Sequence, residues 1–138
     1  MALSNDPVFA QQPKTAGISL GAGAEETELD PATVTPTTIL TAGANGALVT
    51  SVVVTGEITQ TACKCVLWVD VGGAGTNFIV LTGLMAAYTQ ATTTAQGKLT
   101  MVDKTVPDEA IRLGAGDILG YTHHVDLQQM VFAEYTDF

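Results

Sequence analysis

The chain has 138 residues, 46% of them apolar and only 14% charged, and its acids outnumber Lys and Arg by nine. That length holds one domain with a real core and is too short for two. The acidic balance argues against DNA, RNA or anionic lipid as partners, since these need a basic surface to displace counterions; a basic or neutral protein surface suits it better.

Aromatic residues are few at 6%, whereas Thr, Val, Ala and Gly are plentiful. Such a composition fits pleated strands and turns rather than helices, and sets the expected class as all-β. No basic n-region followed by an apolar h-region opens the sequence, no apolar run approaches the ~20 residues of a membrane span, and Met1-Ala2 is not a myristoylation start.

Residues 1–35 read as an extended arm and residues 36–138 as the packed domain. Four of the five prolines lie between Met1 and Pro36, together with Gly21, Gly23 and the acids Glu25, Glu26, Glu28 and Asp30. Ordering ~30 residues costs roughly 1 to 2 kcal/mol each in backbone entropy, while each apolar anchor returns about 1.5 to 3 kcal/mol when buried. The anchors Val8, Phe9, Ile18, Leu20 and Leu29 cannot match that cost alone. The arm is therefore expected to order where it gains strand pairing or lies on another subunit, with those five residues as its partner contacts; the bland alternative is a tail without function.

Thr37 to Gly56 places two β-branched, apolar runs around Gly43-Ala44-Asn45-Gly46. Asn-Gly between such runs predicts a β-hairpin, because both residues tolerate the positive φ of a tight turn. Ala62 to Val71 alternates with period two, putting Cys63, Cys65, Leu67, Val69 and Val71 on one face and Lys64, Trp68 and Asp70 on the other. The glycines at 72, 73 and 75 then predict a second hairpin with an exposed tip, returning through Asn77 to Leu81. Leu84 to Ala95 reads as strand or loop with at most one helical turn, since Thr92-Thr93-Thr94 disfavours helix. Lys98 to Val102 is a short strand, Pro107-Asp108-Glu109 a turn and Ala110 to Leu113 the next strand. Gly114 to Asp117 turns the chain into a strand at Ile118, an arrangement common where two sheets are bridged. Gln128 to Tyr135 is the last strand. About eight short antiparallel strands at this spacing predict a single β-sandwich or jelly-roll-like barrel.

Chemistry is sparse. Cys63 and Cys65, the two thiols of the chain, sit at i and i+2 of a strand with Cα atoms about 6.5 to 7 Å apart, at or beyond the comfortable limit for a disulfide. As a C-x-C metal half-site they lack a second half, and buried small hydrophobes is the better reading. His123 and His124 should face opposite sides of a strand, one packed inward and one solvated, although His124 shares a face with Asp126. Ser4, Ser19 and Ser51 stand in no G-x-S-x-G, and neither G-x-G opens a helix inside a βαβ unit. Asp103, Asp108 and Glu109 lack the order of an EF-hand and read as a solvated acidic loop. Trp68 faces away from the cysteines; a wet face, a second core and a subunit interface all fit, with interface or partial burial favoured. No catalytic residue, cofactor or metal site is expected, and no nucleophile, base and orienter assemble at recognisable spacing.

Three blocks span the chain: Ser4-Asn-Asp-Pro-Val-Phe-Ala-Gln with Pro13-Lys-Thr, Leu40-Thr-Ala-Gly-Ala-Asn-Gly-Ala, and Leu113-Gly-Ala-Gly-Asp-Ile-Leu. With them the sequence resembles small virion structural proteins of tailed bacteriophages, in particular capsid decoration, or cement, proteins. The resemblance implies a β-rich homo-oligomer, a homotrimer by preference, that binds the major capsid protein on the capsid exterior and gives capsid stabilisation. It implies assembly in the host cytoplasm, which agrees with two unpaired thiols. A mobile arm would suit strand addition to a neighbour, and many weak contacts repeated over a lattice give avidity. A phage tail, neck or head-fibre module, receptor- or glycan-binding through Trp68 and Tyr121, is the alternative.

Overall fold

The structure is a computed structural model that describes residues 12–21, 26, 29–125 and 128–138. Nine strands among these residues form two antiparallel sheets: β1 (Gln12–Leu20), β2 (Thr37–Thr41), β3 (Ala47–Gly56), β4 (Cys63–Asp70), β5 (Asn77–Met85), β6 (Lys98–Val102), β7 (Ile111–Leu113), β8 (Ile118–His123) and β9 (Gln129–Asp137). The first sheet runs β1-β9-β3-β6, with β7 also paired to β3, and the second runs β2-β8-β4-β5. The fold is a jelly-roll-type β-sandwich, as the composition and turn spacing predict.

Alternation explains which side chains fill the space between the sheets. Along β4, Cys63, Cys65, Leu67 and Val69 point into the main core, where they meet Val49, Val52, Val54, Leu119, Tyr121, Val131 and Ala133. In β3 the inward set changes parity, from Ala47 and Val49 to Val52 and Val54. A bulge against β9 between Val49 and Ser51 makes this possible, since one extra residue swaps the faces of everything after it.

The Thr37 to Gly56 hairpin does not form. β2 pairs with β8 in the second sheet and β3 with β9, β6 and β7 in the first, so the segment between them arches from one sheet to the other. A two-residue type I′ turn needs positive φ at both central positions. Here Gly46 alone adopts it, at 89°, and no non-glycine residue does so among the described residues. Gly46 is required twice over, because a Cβ there would lie 2.4 Å from the Leu113 carbonyl oxygen. Both runs are apolar enough to enter the core, and burying Ile39, Leu40 and Ala42 beneath the second sheet outweighs the local turn preference.

The 63–85 hairpin does form, with Asp70 opposite Asn77 and Cys63 opposite Met85. At its tip Gly72, Gly73 and Gly75 all take positive φ. The Gly114 to Asp117 turn carries the chain from β7 in the first sheet to β8 in the second, as expected. Asp117 secures it: its carboxylate accepts from Gly114 N at 2.7 Å and from Gly72 N at 2.8 Å, joining this turn to the hairpin tip.

Part of the arm is built into the sandwich. β1 pairs with β9 over nine register positions, so strand pairing is gained within the chain itself and the sandwich reaches back to Gln12. Pairing Ile18 with Val131 and Leu20 with Gln129 turns both residues towards the core, where Leu20 is buried and Ile18 half-buried. These two anchors, expected to touch a partner, are spent on their own domain. Leu29 likewise packs on Val34, Val66 and Trp68. Val8 and Phe9 lie outside the described residues.

Candidate interaction surface

The second sheet ends at β5, and the outer side of this strand pairs with no other strand among the described residues. Its sequence, NFIVLTGLM, holds no charge and no proline. Soluble domains usually protect such an edge with Lys, Pro or inward charges, because its free N–H and C=O groups invite another strand. β5 instead exposes Phe78, Ile79, Val80 and Leu84, the last by 75%. The pairing with β4 skips Val80, since Leu67 faces Leu81 while Trp68 faces Ile79. The strand also lies within the longest uncharged run of the sequence, from Val71 to Gly97, in a chain with net charge −9. That run was the available sequence signal for this surface; hydrophobic alternation alone does not separate an edge strand from a central one.

A second apolar area lies on the outer face of the first sheet. Gly17, Phe132, Val53 and Thr100 form one cross-strand row, and Ser19, Met130, Thr55 and Lys98 the next. Phe132 and Met130 are half exposed. Polar rows border the patch, with Glu134 at 3.4 Å from Lys104.

Over β4 the outer face of the second sheet is closed by the chain itself. Asn77 N donates to the Pro31 carbonyl at 3.1 Å and Asn77 Nδ2 to that of Val34 at 3.3 Å, which holds the segment before β2 across β4. Trp68, expected at an interface or partly buried, is fully enclosed beneath Leu29 and Val34, and its Nε1 donates to Thr122 Oγ1 at 2.8 Å. The face opposite the cysteines is thus a second small core. Tyr121, the other candidate for sugar stacking, is also fully buried. Neither ring is available to a glycan.

Inside the main core lies a polar cluster that the sequence did not reveal. Tyr121 OH donates to Gln129 Oε1 at 2.6 Å, and Gln129 Nε2 donates to Gln60 Oε1 at 3.0 Å. Gln60 Nε2 in turn donates to the carbonyls of Ile58 and Gln128. These contacts satisfy most of the amide groups that burial removes from water. Cys63 and Cys65 are free and buried, as expected, with sulfurs 3.9 Å apart. The hydrogen bond between them holds the Cys63 thiol below the usual range and pushes that of Cys65 above it; burial adds to the second shift and opposes the first. Burial also drives the Tyr121 hydroxyl upward.

His123 packs inward as expected, fully buried and stacked on Tyr121 with ring centroids 6.1 Å apart, whereas His124, expected to be solvated, is partly buried with its Nε2 shielded from solvent. Desolvation, aided by Lys64 and opposed by Glu26, holds the His124 imidazole below its ordinary value. Asp126, its supposed companion, lies outside the described residues. In the acidic loop Asp103 accepts from Thr105 N and Thr105 Oγ1, which lowers its carboxyl, and Glu109 accepts from Asp103 N. No group of three or more His, Cys, Asp or Glu with metal-binding geometry occurs among the described residues.

No family model matches the chain, and no curated protein matches it. Among solved structures it is similar to Eiger TNF from S. frugiperda, with a TM-score of 0.51 and 12% identity over 93% of this chain and 92% of that one. At such identity the likeness is one of fold, and it agrees with the two-sheet jelly-roll architecture described above.

Proposed function

We propose that this is a non-enzymatic bacteriophage virion structural protein, a decoration or cement protein that binds the outer surface of the capsid and stabilises the shell as a homo-oligomer, with a trimer favoured. The observation that carries the reading is the uncharged, exposed edge of β5 in a strongly acidic chain. Copies that each carry net charge −9 repel one another, and a contact built on the Val71 to Gly97 run brings the fewest like charges together. The β5 edge is therefore assigned to a second copy of this chain, through strand pairing or packing of its apolar side chains. The acidic remainder is left to meet a neutral or basic surface of the major capsid protein, and the three phage-like sequence blocks favour that partner.

Purified protein added to expanded shells that lack it should bind saturably on the outside and raise the temperature at which the shells rupture. Absence of binding would sink the proposal. Immunolabelling of virions in the same experiment separates it from the alternative of a tail or neck module, for which label would collect at one vertex or along the tail, and the rupture temperature separates it from a head-fibre module, which would leave the shell no more stable.

A further inference from the structure

Two sulfur atoms flank one amide at the inner face of β4 and β5, and a third lies beside one of them. Gln129 Nε2 lies 3.1 Å from Cys63 Sγ and 3.7 Å from Met85 Sδ, while Cys65 Sγ is 3.9 Å from Cys63 Sγ. The backbone dictates this convergence. Cys63 and Cys65 share a face because they are two residues apart on β4, and Met85 stands directly opposite Cys63 across the β4 to β5 pairing. All three side chains are buried.

We infer that Cys63, Cys65 and Met85 form a binding site for a soft monovalent d10 cation, Cu(I) in a reducing compartment, held by two cysteine sulfurs and a thioether. Metal–sulfur bonds run about 2.3 Å, so sulfurs 3.9 Å apart subtend roughly 115 to 120° at a shared ion, the angle of a trigonal centre. A disulfide would need the sulfurs about 2 Å apart, which the spacing of alternate strand residues resists. Thiolate and thioether donors select Cu(I) over harder divalent ions, and a flexible methionine adapts to the ion at little cost in packing.

The amide marks the place. Gln129 Nε2 has two hydrogens, yet three acceptors stand within reach: Gln60 Oε1, Cys63 Sγ and Met85 Sδ. Cys63 Sγ also shares a hydrogen bond with Cys65 Sγ, so amide and sulfurs form one connected set inside the core. The carbonyl end of the amide is held by the Tyr121 hydroxyl, so the electropositive N–H end stays turned to the sulfurs. N–H groups turned to cysteine sulfur support a metal-bound thiolate, and each thiol that becomes a thiolate gives its proton to solvent.

The test uses the intact, fully reduced protein with Ag(I) as an air-stable probe, followed by equilibrium dialysis and thermal melting. One Ag(I) per chain should bind, and the melting temperature should rise, because a ligand of the folded state stabilises it by mass action. Cys63→Ser and Cys65→Ser should each weaken binding at least 100-fold, and Met85→Leu, which keeps the volume, about tenfold. X-ray absorption of the Cu(I) form, prepared without oxygen, should show three sulfur neighbours. The inference is overturned by two silver ions bound per chain with each Cys→Ser variant keeping one at undiminished affinity, by a melting temperature that stays or falls, or by wild-type affinity in Met85→Leu. If either serine variant fails to fold, stoichiometry, melting and absorption on the unaltered protein still decide it.

Discussion

One outermost strand of each sheet, β1 in the first and β5 in the second, has the same length, and the two end their sheets in opposite ways. β1 carries Pro13 and Lys14. Proline cannot donate to a further strand, and the lysine is drawn across to the Asp137 carboxylate, an ion pair that raises the Lys14 ammonium above its usual value. β5 has neither device and exposes Leu84, Phe78, Ile79 and Val80. One edge is built to stop and the other is left open. The difference teaches that the acidic surface is not uniform, and that the interruption falls on the strand most able to accept a neighbour.

The largest expected effect follows from charging the open edge. If the chain assembles through β5 as proposed, Val80→Lys should yield monomer in sedimentation velocity without unfolding the domain, since Val80 lies outside the β4 pairing register. An oligomer that survives would remove β5 from the contact. The converse experiment deletes residues 1–20. It strips Leu20 and Ile18 from the core and uncovers Val131 and Ala133 on β9, so stability should drop by about 2 to 4 kcal/mol in urea titration. Assembly at low temperature should persist. If instead deletion dissolves the oligomer and spares stability, the roles of the two edges are reversed.

How much of this was legible in the sequence depended on whether a signal was local. The 63–85 hairpin was readable because alternation and tip glycines agree, and the Gly114 to Asp117 bridge because its carboxylate cap sits within the turn. The Thr37 to Gly56 hairpin misled, since Asn45-Gly46 reports a preference of two residues while the partner of β2 is β8, far along the chain. The full burial of Trp68 is not legible for a related reason. Its burial depends on residues 29–34 folding back over β4, a contact for which composition suggested only a loose arm. The glutamine and sulfur cluster is assembled from β4, β5, β8, β9 and the loop at Gln60, so no spacing announces it.

A smaller effect tests whether the cover over β4 is truly closed, and so whether β5 alone is open. Trp68→Phe keeps most of the apolar volume and removes the bond to Thr122. It should cost about 1 to 2 kcal/mol, with the oligomer unchanged by sedimentation. A shift in assembly would mean that this face, and not only the β5 edge, meets a neighbour.

The smallest effect concerns His124, which lies just past the end of β8 with β4 between it and the open edge. Its backbone N–H donates to the Lys64 carbonyl, and Lys64 stands opposite the exposed Leu84. Burial first, and then the Lys64 charge, hold the folded imidazole below its unfolded value, with Glu26 acting the other way. Between the two values the unfolded chain binds more protons than the folded one, so stability should fall as pH drops below about 6.5 and stay flat above it. His124→Asn should flatten that slope, as read by melting temperature from pH 7.5 to 5.5. A slope that persists in His124→Asn would assign the pH dependence to another group.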